Sequence, residues 1–270
     1  MTVPLGPPSP LAPLGPRGPQ GLDGRTALVT GGGSGLGAAI ARALHAAGGS
    51  VVVVGRRPEP LERVVAELGG RASWRVCDVA DESSVAELAS ALAETEVSVL
   101  VNNAGIAGPV APLVEIDVAA WDEVFAVNVR GVFLMCRAFL PAMVGRGSGD
   151  VVNLASVTGK RPLTRRTPYA ASKLAVIGLT STLAFEVGPS GVRVNSLSPG
   201  PVQGERMDRN FRLEAERTGS SYAEAQQAYV SRSALQRMVT EEEVGAAVVA
   251  MLAMPGMTGA DVDLSAGMIA

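Results

Sequence analysis

Histidine, cysteine and aromatic residues are scarce in this sequence of 270 residues, and each scarcity excludes a class of site. The one histidine, His45, falls inside a run typical of a helix, so a Ser-His-Asp hydrolase is not expected. The two cysteines, Cys77 and Cys136, lie apart in apolar runs, which predicts buried thiols in a reducing compartment and neither a disulfide nor a metal site. Aromatic residues make up 4% of the chain against 47% hydrophobic residues, so we expect a core of Ala, Val and Leu.

The sequence also lacks an excess of either charge and a long apolar run. Lys and Arg total 23 and Asp and Glu total 26, a net charge of −3 that does not indicate a nucleic-acid partner. No uninterrupted apolar run approaches the roughly 18 residues that a membrane span needs. The N-terminus does not have the basic and apolar parts of a signal peptide. We therefore expect a cytoplasmic protein without a membrane partner.

Proline and glycine dominate residues 1–21, which predicts a disordered tail. In residues 22–270, short apolar runs alternate with helical patterns, which predicts one doubly wound α/β domain with a central parallel sheet and helices on both faces. The strands are expected at 27–30, 51–54, 72–77, 97–101, 150–154, 192–196 and 260–264. The helices are expected at 38–47, 58–68, 81–94, 118–144, 168–188, 205–230 and 241–254. We interpret the charged stretch from about 203 to 233 as a mobile cover over a substrate.

The glycine-rich turn Gly31–Gly37 joins the first strand to the first helix. A turn of this kind between a strand and a helix is typical of a dinucleotide-binding (Rossmann) motif. Glycine permits positive φ angles and a close approach of the backbone, and the helix N-terminus offers N–H groups to a pyrophosphate. The turn therefore predicts a dinucleotide cofactor.

The residues after the second and third strands bear on the choice of cofactor. In a dinucleotide-binding fold, an acidic residue after the second strand bonds the ribose hydroxyls, whereas an arginine accommodates a 2′-phosphate. Here Arg56 and Arg57 follow the strand and no acid is present, which favours NADP. NAD is the alternative, with both arginines solvated or one of them stacked on adenine. Asp78 follows the third strand and is a candidate acceptor for the adenine amine.

A tyrosine and a lysine four residues apart, Tyr169 and Lys173, share one face of the helix predicted from residue 168. The pKa of a free tyrosine is about 10. An ammonium one turn away stabilises the phenolate, which brings the phenol into range for proton transfer at neutral pH. Ser156, just after the fifth strand, is placed to hold a substrate oxygen beside the phenol. Asn128 lies in an apolar helical stretch, either as a satisfied core amide or as a residue that bends the helix to place a polar group or a water.

These motifs together resemble those of the short-chain dehydrogenase/reductase family over residues 22–270. The resemblance rests on T-G-x-x-x-G-x-G from Thr30, N-N-A-G from Asn102, P-G at Pro199, and on Asn128, Ser156, Tyr169 and Lys173 in order and spacing. The sequence departs from the family at Gly204, where a threonine is frequent, and at Asp263–Gly267, where many members have an Asp-Gly-Gly turn.

The resemblance implies an NAD(P)-dependent oxidoreductase that interconverts a secondary alcohol and a ketone. It implies that Tyr169 is the general acid/base and that Ser156 orients the reacting oxygen. It also implies that Lys173 lowers the pKa of Tyr169 and binds the nicotinamide ribose, and that Asn128 supports a water-mediated proton path. The expected contacts with the cofactor are Gly31, Gly33, Ser34, Gly35, Leu36, Gly37, Arg56, Arg57, Asp78, Val79, Asn103, Ala104, Gly105, Tyr169, Lys173, Pro199, Gly200 and Val202.

The substrate and the assembly are less closely determined by the sequence. Four basic residues surround the approach to Tyr169: Lys160, Arg161, Arg165 and Arg166. They meet an anionic group of a small-molecule substrate, or they are solvated, or Arg161 and Arg166 serve loop structure. A reductase of 3-oxoacyl thioesters is an alternative on the same scaffold, and a non-catalytic cofactor-binding regulator is an alternative of another class. Because the family mostly forms tetramers or dimers, a homotetramer or homodimer is expected.

Overall fold

The described residues fold around a sheet of seven strands with helices on both faces. The structure is a computed structural model that describes residues 21–268, and the predicted tail, apart from Gly21, lies outside the described residues. The strands are β1 (Thr26–Thr30), β2 (Ser50–Gly55), β3 (Ala72–Val76), β4 (Val97–Asn102), β5 (Gly149–Leu154), β6 (Val192–Pro199) and β7 (Asp261–Leu264). The helices are α1 (Gly35–Ala46), α2 (Pro58–Leu68), α3 (Glu82–Ala91), α4 (Val118–Phe125), α5 (Gly131–Arg146), α6 (Thr167–Val187), α7 (Glu205–Thr218), α8 (Tyr222–Val230) and α9 (Glu241–Leu252).

The strand order in the sheet is β3-β2-β1-β4-β5-β6-β7, so the direction of winding reverses between β1 and β4. All neighbouring strands are parallel; Ala27, for example, lies opposite Val51 on one side and Val99 on the other. Strands that are buried on both faces need apolar residues on both, which explains the continuous valine run of β2. The predicted doubly wound α/β fold is confirmed, and such sheets bind ligands at the carboxyl ends of the strands next to the reversal.

Two layers of helices cover the sheet. The apolar residues of α1, α2 and α9 share a core with one face, and those of α3, α5 and α6 share a core with the other. Cys77 and Cys136 are buried thiols of the second core, as predicted. His45 lies half-buried near the end of α1, and its Nε2 atom has no hydrogen-bond partner among the described residues. His45 and Cys136 thus contribute to packing outside the strand ends, whereas Cys77 also lines the cleft described below.

The single helix predicted over 118–144 is interrupted in the structure. Helix α4 ends at Phe125, a π-helical turn follows over Ala126–Arg130, and α5 begins at Gly131. The N–H group of Gly131 donates to the carbonyl of Ala126, one residue further back than in an α-helix. The apolar pattern did not reveal this insertion, because the segment packs against neighbours on several sides and its polar residues are few.

The prediction of a single helix over 205–230 is also wrong, because this segment forms two separate helices, α7 and α8. Gly219 ends α7 with a φ of 69°, a left-handed conformation that glycine adopts without strain. Ser221 starts α8 through reciprocal hydrogen bonds with Glu224, a capping box. These local stop and start signals override the charge periodicity that runs through the segment.

Two helical stretches, Val118–Arg146 and Thr167–Ser190, are long and apolar enough to cross a membrane by length and composition alone. This is weak evidence for a span, because core helices pass the same test and both stretches pack against the sheet. Half of the apolar window is buried in the first stretch but only 28% in the second. One face of α6 is therefore uncovered in the described chain, and it carries the exposed residues Leu174 and Phe185.

A buried carboxylate joins three strands at the edge of the sheet that holds their amino ends. One oxygen of Asp150 lies 2.5 Å from Nη2 of Arg25, and the other lies 2.6 Å from Nη2 of Arg193. The Asp150 side chain is 4% exposed. Arg25 also donates to the carbonyl of Ser98, so the cluster links β1, β4, β5 and β6. The sequence analysis did not predict this cluster, since none of its members is a neighbour of another along the chain.

Candidate active site

A cleft of about 920 Å³ lies at the carboxyl ends of the strands, where the strand order reverses. This volume is within the usual range of about 300–1,000 Å³ for ligand and cofactor sites. Every residue predicted to contact the cofactor lines the cleft, and so does Ser156. Asn128 does not line it and is fully buried behind it.

The glycine turn forms the wall of the cleft at the start of α1. The helix begins at Gly35, which has a φ of 51°, and the side chain of the N-cap residue Ser34 makes no capping hydrogen bond. A Cβ atom built on Gly37 would lie 2.1 Å from the carbonyl oxygen of Gly31, so no side chain fits there. The turn therefore leaves backbone N–H groups at the start of a helix open to an anion, which fits the pyrophosphate of a dinucleotide.

A network around Thr30 fixes the floor of the cleft on both sides of the reversal. Its hydroxyl accepts hydrogen bonds from the N–H groups of Asn103 at 2.9 Å and Ala104 at 3.0 Å. The Asn103 amide donates to the carbonyl of Thr30 at 2.9 Å. These bonds join the ends of β1 and β4, and so hold the glycine turn and the N-N-A-G segment in one arrangement. The sequence analysis placed these residues in motifs but did not predict the bonds between them.

The end of the cleft beside β2 carries positive charge. Arg56 and Arg57 are exposed, and neither forms an ion pair with another described residue. Asp78, at the end of β3, is half-buried, and one of its oxygens accepts from the N–H group of Ala80 at 3.0 Å. Burial raises the pKa of the Cys77 thiol, which also lines this end, so the thiol stays neutral. The two arginines are thus the charged groups available to a phosphate here.

Tyr169, Lys173 and Ser156 lie along one wall of the cleft. The ammonium of Lys173 lies 5.8 Å from the centroid of the Tyr169 ring and donates to the carbonyl of Leu154 at 2.7 Å. Lys173 is 5% exposed and Tyr169 is half-buried. The hydroxyl of Ser156 accepts from the N–H group of Thr158 at 3.2 Å, which orients it at the start of the loop after β5. The contact with Leu154 has no sequence signal, because any residue offers a backbone carbonyl.

Asn128 connects the loop after β4 to the helix that carries Tyr169. Its side-chain oxygen accepts from the N–H group of Ile106 at 2.8 Å, and its amide donates to the carbonyl of Ile106 at 2.9 Å and to the Ser172 hydroxyl at 3.0 Å. Ser172 in turn donates to the carbonyl of Tyr169 at 2.8 Å. Both predicted alternatives therefore describe part of the structure: the amide is satisfied and buried, and it sits in the π-helical turn.

Two of the four basic residues near the approach to Tyr169 form ion pairs or hydrogen bonds with other parts of the chain. Lys160 forms ion pairs with Asp261, at 2.5 Å, and with Asp263, both in β7. Arg161 donates to the carbonyl of Met268 at 2.6 Å. These contacts attach the loop after Ser156 to the edge of the sheet and to the C-terminal segment. The interpretation that Arg161 serves loop structure therefore agrees with the structure, whereas the ion pairs of Lys160 were not predicted.

The other two basic residues face the region predicted as a cover. Arg166 donates to the side-chain oxygen of Asn210 in α7 at 3.1 Å. Arg165 is exposed and has a φ of 65°, an unusual conformation for a residue with a side chain. Its charge contributes to lowering the pKa of Glu214 in α7, after the larger effect of Arg217. Of the four basic residues, Lys160 and Arg165 are exposed, and Lys160 is engaged by β7.

Helices α7 and α8 have a small core of their own. Phe211 is 2% exposed and meets the rings of Tyr222 and Tyr229 edge-on, at centroid distances of 5.8 and 5.7 Å. Burial raises the pKa of Tyr229, while nearby arginines oppose that shift, so the group is a neutral phenol. The two helices therefore pack as one unit, and Asn210 of α7 contacts Arg166, the residue before α6.

Several cleft residues were not predicted from the sequence. The start of α9 contributes Thr240, Glu241 and Glu242, and Gln203 and Glu205 come from the chain before α7 and from its first residue. The sequence T-E-E-E indicates only a helix start, so its position beside the glycine turn depends on how α9 packs in the tertiary structure. This wall of the cleft is acidic, in contrast to the end beside β2.

Comparison with known proteins identifies relatives that cover most of the chain. The sequence model of the family described as short chain dehydrogenase matches residues 25–215. The D-threitol dehydrogenase of Mycolicibacterium smegmatis is 44% identical over 186 residues, which cover 67% of this chain and 71% of the relative. The galactitol 2-dehydrogenase (L-tagatose-forming) of Cereibacter sphaeroides is 47% identical over 189 residues, which cover 68% of this chain and 74% of the relative.

Solved structures match the fold over nearly the whole chain. The L-sorbose reductase of Gluconobacter frateurii, complexed with NADPH and L-sorbose, has a TM-score of 0.87 and 25% identity, and the match covers 93% of this chain and 98% of that one. An NAD+-bound xylitol dehydrogenase has a TM-score of 0.84 and 30% identity, and the match covers 90% of this chain and 98% of that one.

Proposed function

The chain belongs to the short chain dehydrogenase family, and from this premise we propose roles for its site residues, a preferred cofactor and a substrate class. The protein is an NAD(P)-dependent oxidoreductase that interconverts a secondary alcohol and a ketone. The observation that carries the proposed roles is the position of Ser156, Tyr169 and Lys173 along one wall of a cleft whose other wall is the glycine turn.

Tyr169 acts as the general acid/base, since its phenol transfers the proton to or from the reacting oxygen. The Lys173 ammonium favours the phenolate form, because a nearby cation stabilises an anion, and its bond to the carbonyl of Leu154 fixes its position. Lys173 also binds the nicotinamide ribose, and Ser156 orients the reacting oxygen. When bound, the nicotinamide ring supplies the hydride chemistry. Asn128 is a positioning residue that supports a water-mediated proton path through its bonds to Ile106 and Ser172.

NADP is the preferred cofactor, with Arg56 and Arg57 holding the 2′-phosphate. We expect NADPH to bind at least about tenfold more tightly than NADH, because charge-assisted hydrogen bonds to a phosphate are strong. Arg56→Ala should remove most of this difference, because it weakens the binding of NADPH and leaves the binding of NADH unchanged. Arg57→Ala tests the second arginine in the same way. Titration of NADPH and NADH against the wild type and both variants, followed by nicotinamide fluorescence, measures the six dissociation constants. Equal binding of NADH and NADPH by the wild type would assign the site to NAD.

The proposed substrate is a polyol or the corresponding ketose. Its support is that two relatives are dehydrogenases of threitol and galactitol and that the similar L-sorbose reductase binds a ketose. Lys160 and Arg161 already bind other groups of the protein, which favours a neutral substrate over an anionic one. We expect kcat/KM to be higher for threitol or galactitol than for a secondary mono-alcohol, a hydroxy acid or a 3-oxoacyl thioester. A higher kcat/KM for the thioester than for the polyols would favour the alternative of a 3-oxoacyl thioester reductase. A higher kcat/KM for the hydroxy acid would indicate that Arg165 binds its carboxylate.

We also propose that the protein is cytoplasmic and assembles as a homotetramer or homodimer through α5 and α6. The support for assembly is the uncovered apolar face of these helices, with Phe185 at 85%, Leu174 at 54% and Phe133 at 46% exposure. A second copy of the chain would bury these side chains, which water otherwise surrounds. The support for the cytoplasm is the pair of unpaired, buried thiols. The segment 203–233 acts as the substrate cover, because its two helices form one unit beside the approach to Tyr169.

A further inference from the structure

A single turn of 3₁₀-helix directly follows Ser156 and forms a compact unit with it. The carbonyl of Ser156 accepts from the N–H group of Gly159 at 2.9 Å. The carbonyl of Val157 accepts from the N–H groups of Lys160 at 3.0 Å and Arg161 at 2.8 Å. Because these bonds make Ser156 and Lys160 parts of one turn, a displacement of one end of the turn moves the other.

This turn rests on the backbone of α6 beside the catalytic lysine. A Cβ atom built on Gly159 would lie 2.9 Å from the backbone nitrogen of Leu174 and 3.0 Å from the carbonyl carbon of Lys173. Glycine therefore allows a contact between backbones that a side chain would prevent. The contact is one helical turn beyond Tyr169, so the seating of the turn on α6 sets the distance between Ser156 and the pair formed by Tyr169 and Lys173.

The side chain of Lys160 anchors the turn from the other side. Its ammonium forms ion pairs with Asp261, at 2.5 Å, and with Asp263. The other oxygen of Asp261 accepts from the hydroxyls of Ser196 at 2.7 Å and Ser198 at 2.8 Å, so β6 fixes this carboxylate in place. Burial lowers the pKa of Lys160, but the bonds to the two carboxylates outweigh this and raise it, so the ammonium keeps its charge at neutral pH.

We propose that Lys160 is a positioning residue for the reaction: its ion pairs with β7 hold the turn against α6, and so keep the Ser156 hydroxyl in place beside Tyr169. This role rests on the proposed function, in which Ser156 orients the reacting oxygen and Tyr169 transfers the proton. Lys160 does not line the cleft, so it acts on the reaction only through the turn. A displacement of about 1 Å at a reacting group can lower the rate by about 10²-fold, so a small shift of this turn has a measurable effect.

Lys160→Met removes the ammonium and keeps the length of the side chain. We expect kcat/KM, measured with threitol or galactitol, whichever the wild type oxidises better, to fall by about tenfold or more. The dissociation constant of NADPH, from fluorescence titration, should stay within about twofold of the wild type, because the cofactor contacts are untouched. Lys160→Arg keeps the charge and should restore most of the lost activity.

A double-mutant cycle with Ser156→Ala separates positioning from a general effect on the fold. In the Ser156→Ala background, Lys160→Met should lower kcat/KM by less than about twofold further, because the hydroxyl through which Lys160 acts is absent. Glu82→Gln is the control for loss of an ion pair as such, since it breaks an exposed pair with Arg137 of similar length, 2.5 Å, outside the cleft. This variant should keep the kcat/KM of the wild type.

Two outcomes would overturn the role of Lys160. One is an unchanged kcat/KM in Lys160→Met beside a clear loss in Ser156→Ala. The other is a loss by the same factor in both backgrounds, which would mean that Lys160 supports the fold in general. If Lys160→Met does not fold, Asp263→Asn removes only the more exposed partner, and the same cycle applies to it. Full activity of Ser156→Ala, or a wild type that oxidises neither polyol, would instead contradict the proposed function.

Discussion

Replacing Tyr169 by phenylalanine is expected to lower kcat/KM for alcohol oxidation by at least about 10³-fold, which is within the range that general acid/base catalysis contributes. The variant keeps the ring that lies 5.8 Å from the Lys173 ammonium and removes only the hydroxyl. Lys173 keeps its bond to the carbonyl of Leu154, so the cofactor side of the cleft stays in place. Steady-state kinetics should therefore show the loss in turnover, while fluorescence titration shows an unchanged dissociation constant for NADPH.

A second tyrosine provides the matched control for this substitution. The hydroxyl of Tyr222 donates to a carboxylate oxygen of Asp208 at 2.8 Å, and neither residue lines the cleft. Tyr222→Phe should therefore leave kcat/KM close to that of the wild type. If Tyr169→Phe retained more than about a tenth of the activity, the proton would have to pass through another group. If it lost cofactor binding together with turnover, the role of Tyr169 would be structural.

The cofactor cleft could be predicted from the sequence because its parts follow strand ends. In a parallel sheet all carboxyl ends lie at one edge, so residues as distant in sequence as Gly31, Asp78, Asn103 and Pro199 converge without further information. The same holds for Tyr169 and Lys173, whose spacing on a helix fixes their relation. These predictions depend only on the direction of the strands and on the number of residues per turn of a helix.

Contacts that depend on one particular partner could not be predicted in this way. Asn102 donates to Asn153 at 2.8 Å, and Asn153 donates to Thr180 at 2.9 Å, a buried polar chain from β4 through β5 to α6. The strands show only that an asparagine stands near each carboxyl end. The hydrogen-bond partner of each amide depends on the register between strands and on helix packing, and the local sequence does not predict either.

Charged residues were the least predictable part of the site. Lys160 follows Ser156 closely in the sequence, yet its side chain is paired to Asp261 and Asp263 in β7. Charge in a sequence indicates exposure or pairing, but a partner about 100 residues away leaves no local pattern. For Lys160 neither predicted alternative, a substrate contact or a solvated side chain, included its ion pairs with β7.

Asp150→Asn is expected to lower the free energy of unfolding by about 3–5 kcal/mol, because it leaves buried cations without their counter-charge. Arg25 and Arg193 reach the carboxylate from opposite sides, and their side chains are 16% and 13% exposed. Asparagine keeps the size of the side chain but offers one neutral oxygen in place of a charged pair. Urea unfolding at one fixed protein concentration measures the change, since assembly makes stability depend on concentration.

The surface pair of Arg42 and Glu67 separates burial from pairing as the cause of this loss. The two side chains make a bidentate contact at 2.6 and 2.8 Å, but they are 45% and 52% exposed. Glu67→Gln should therefore lower the free energy of unfolding clearly less than Asp150→Asn does, because water replaces the lost partner. Similar losses of unfolding free energy in Asp150→Asn and Glu67→Gln would mean that the buried cluster stabilises the fold no more than a surface pair does.

Asp150 lies at the opposite end of β5 from the cleft. Folded Asp150→Asn enzyme should therefore keep the kcat of the wild type. A loss of kcat would show that the cluster also positions Ser156.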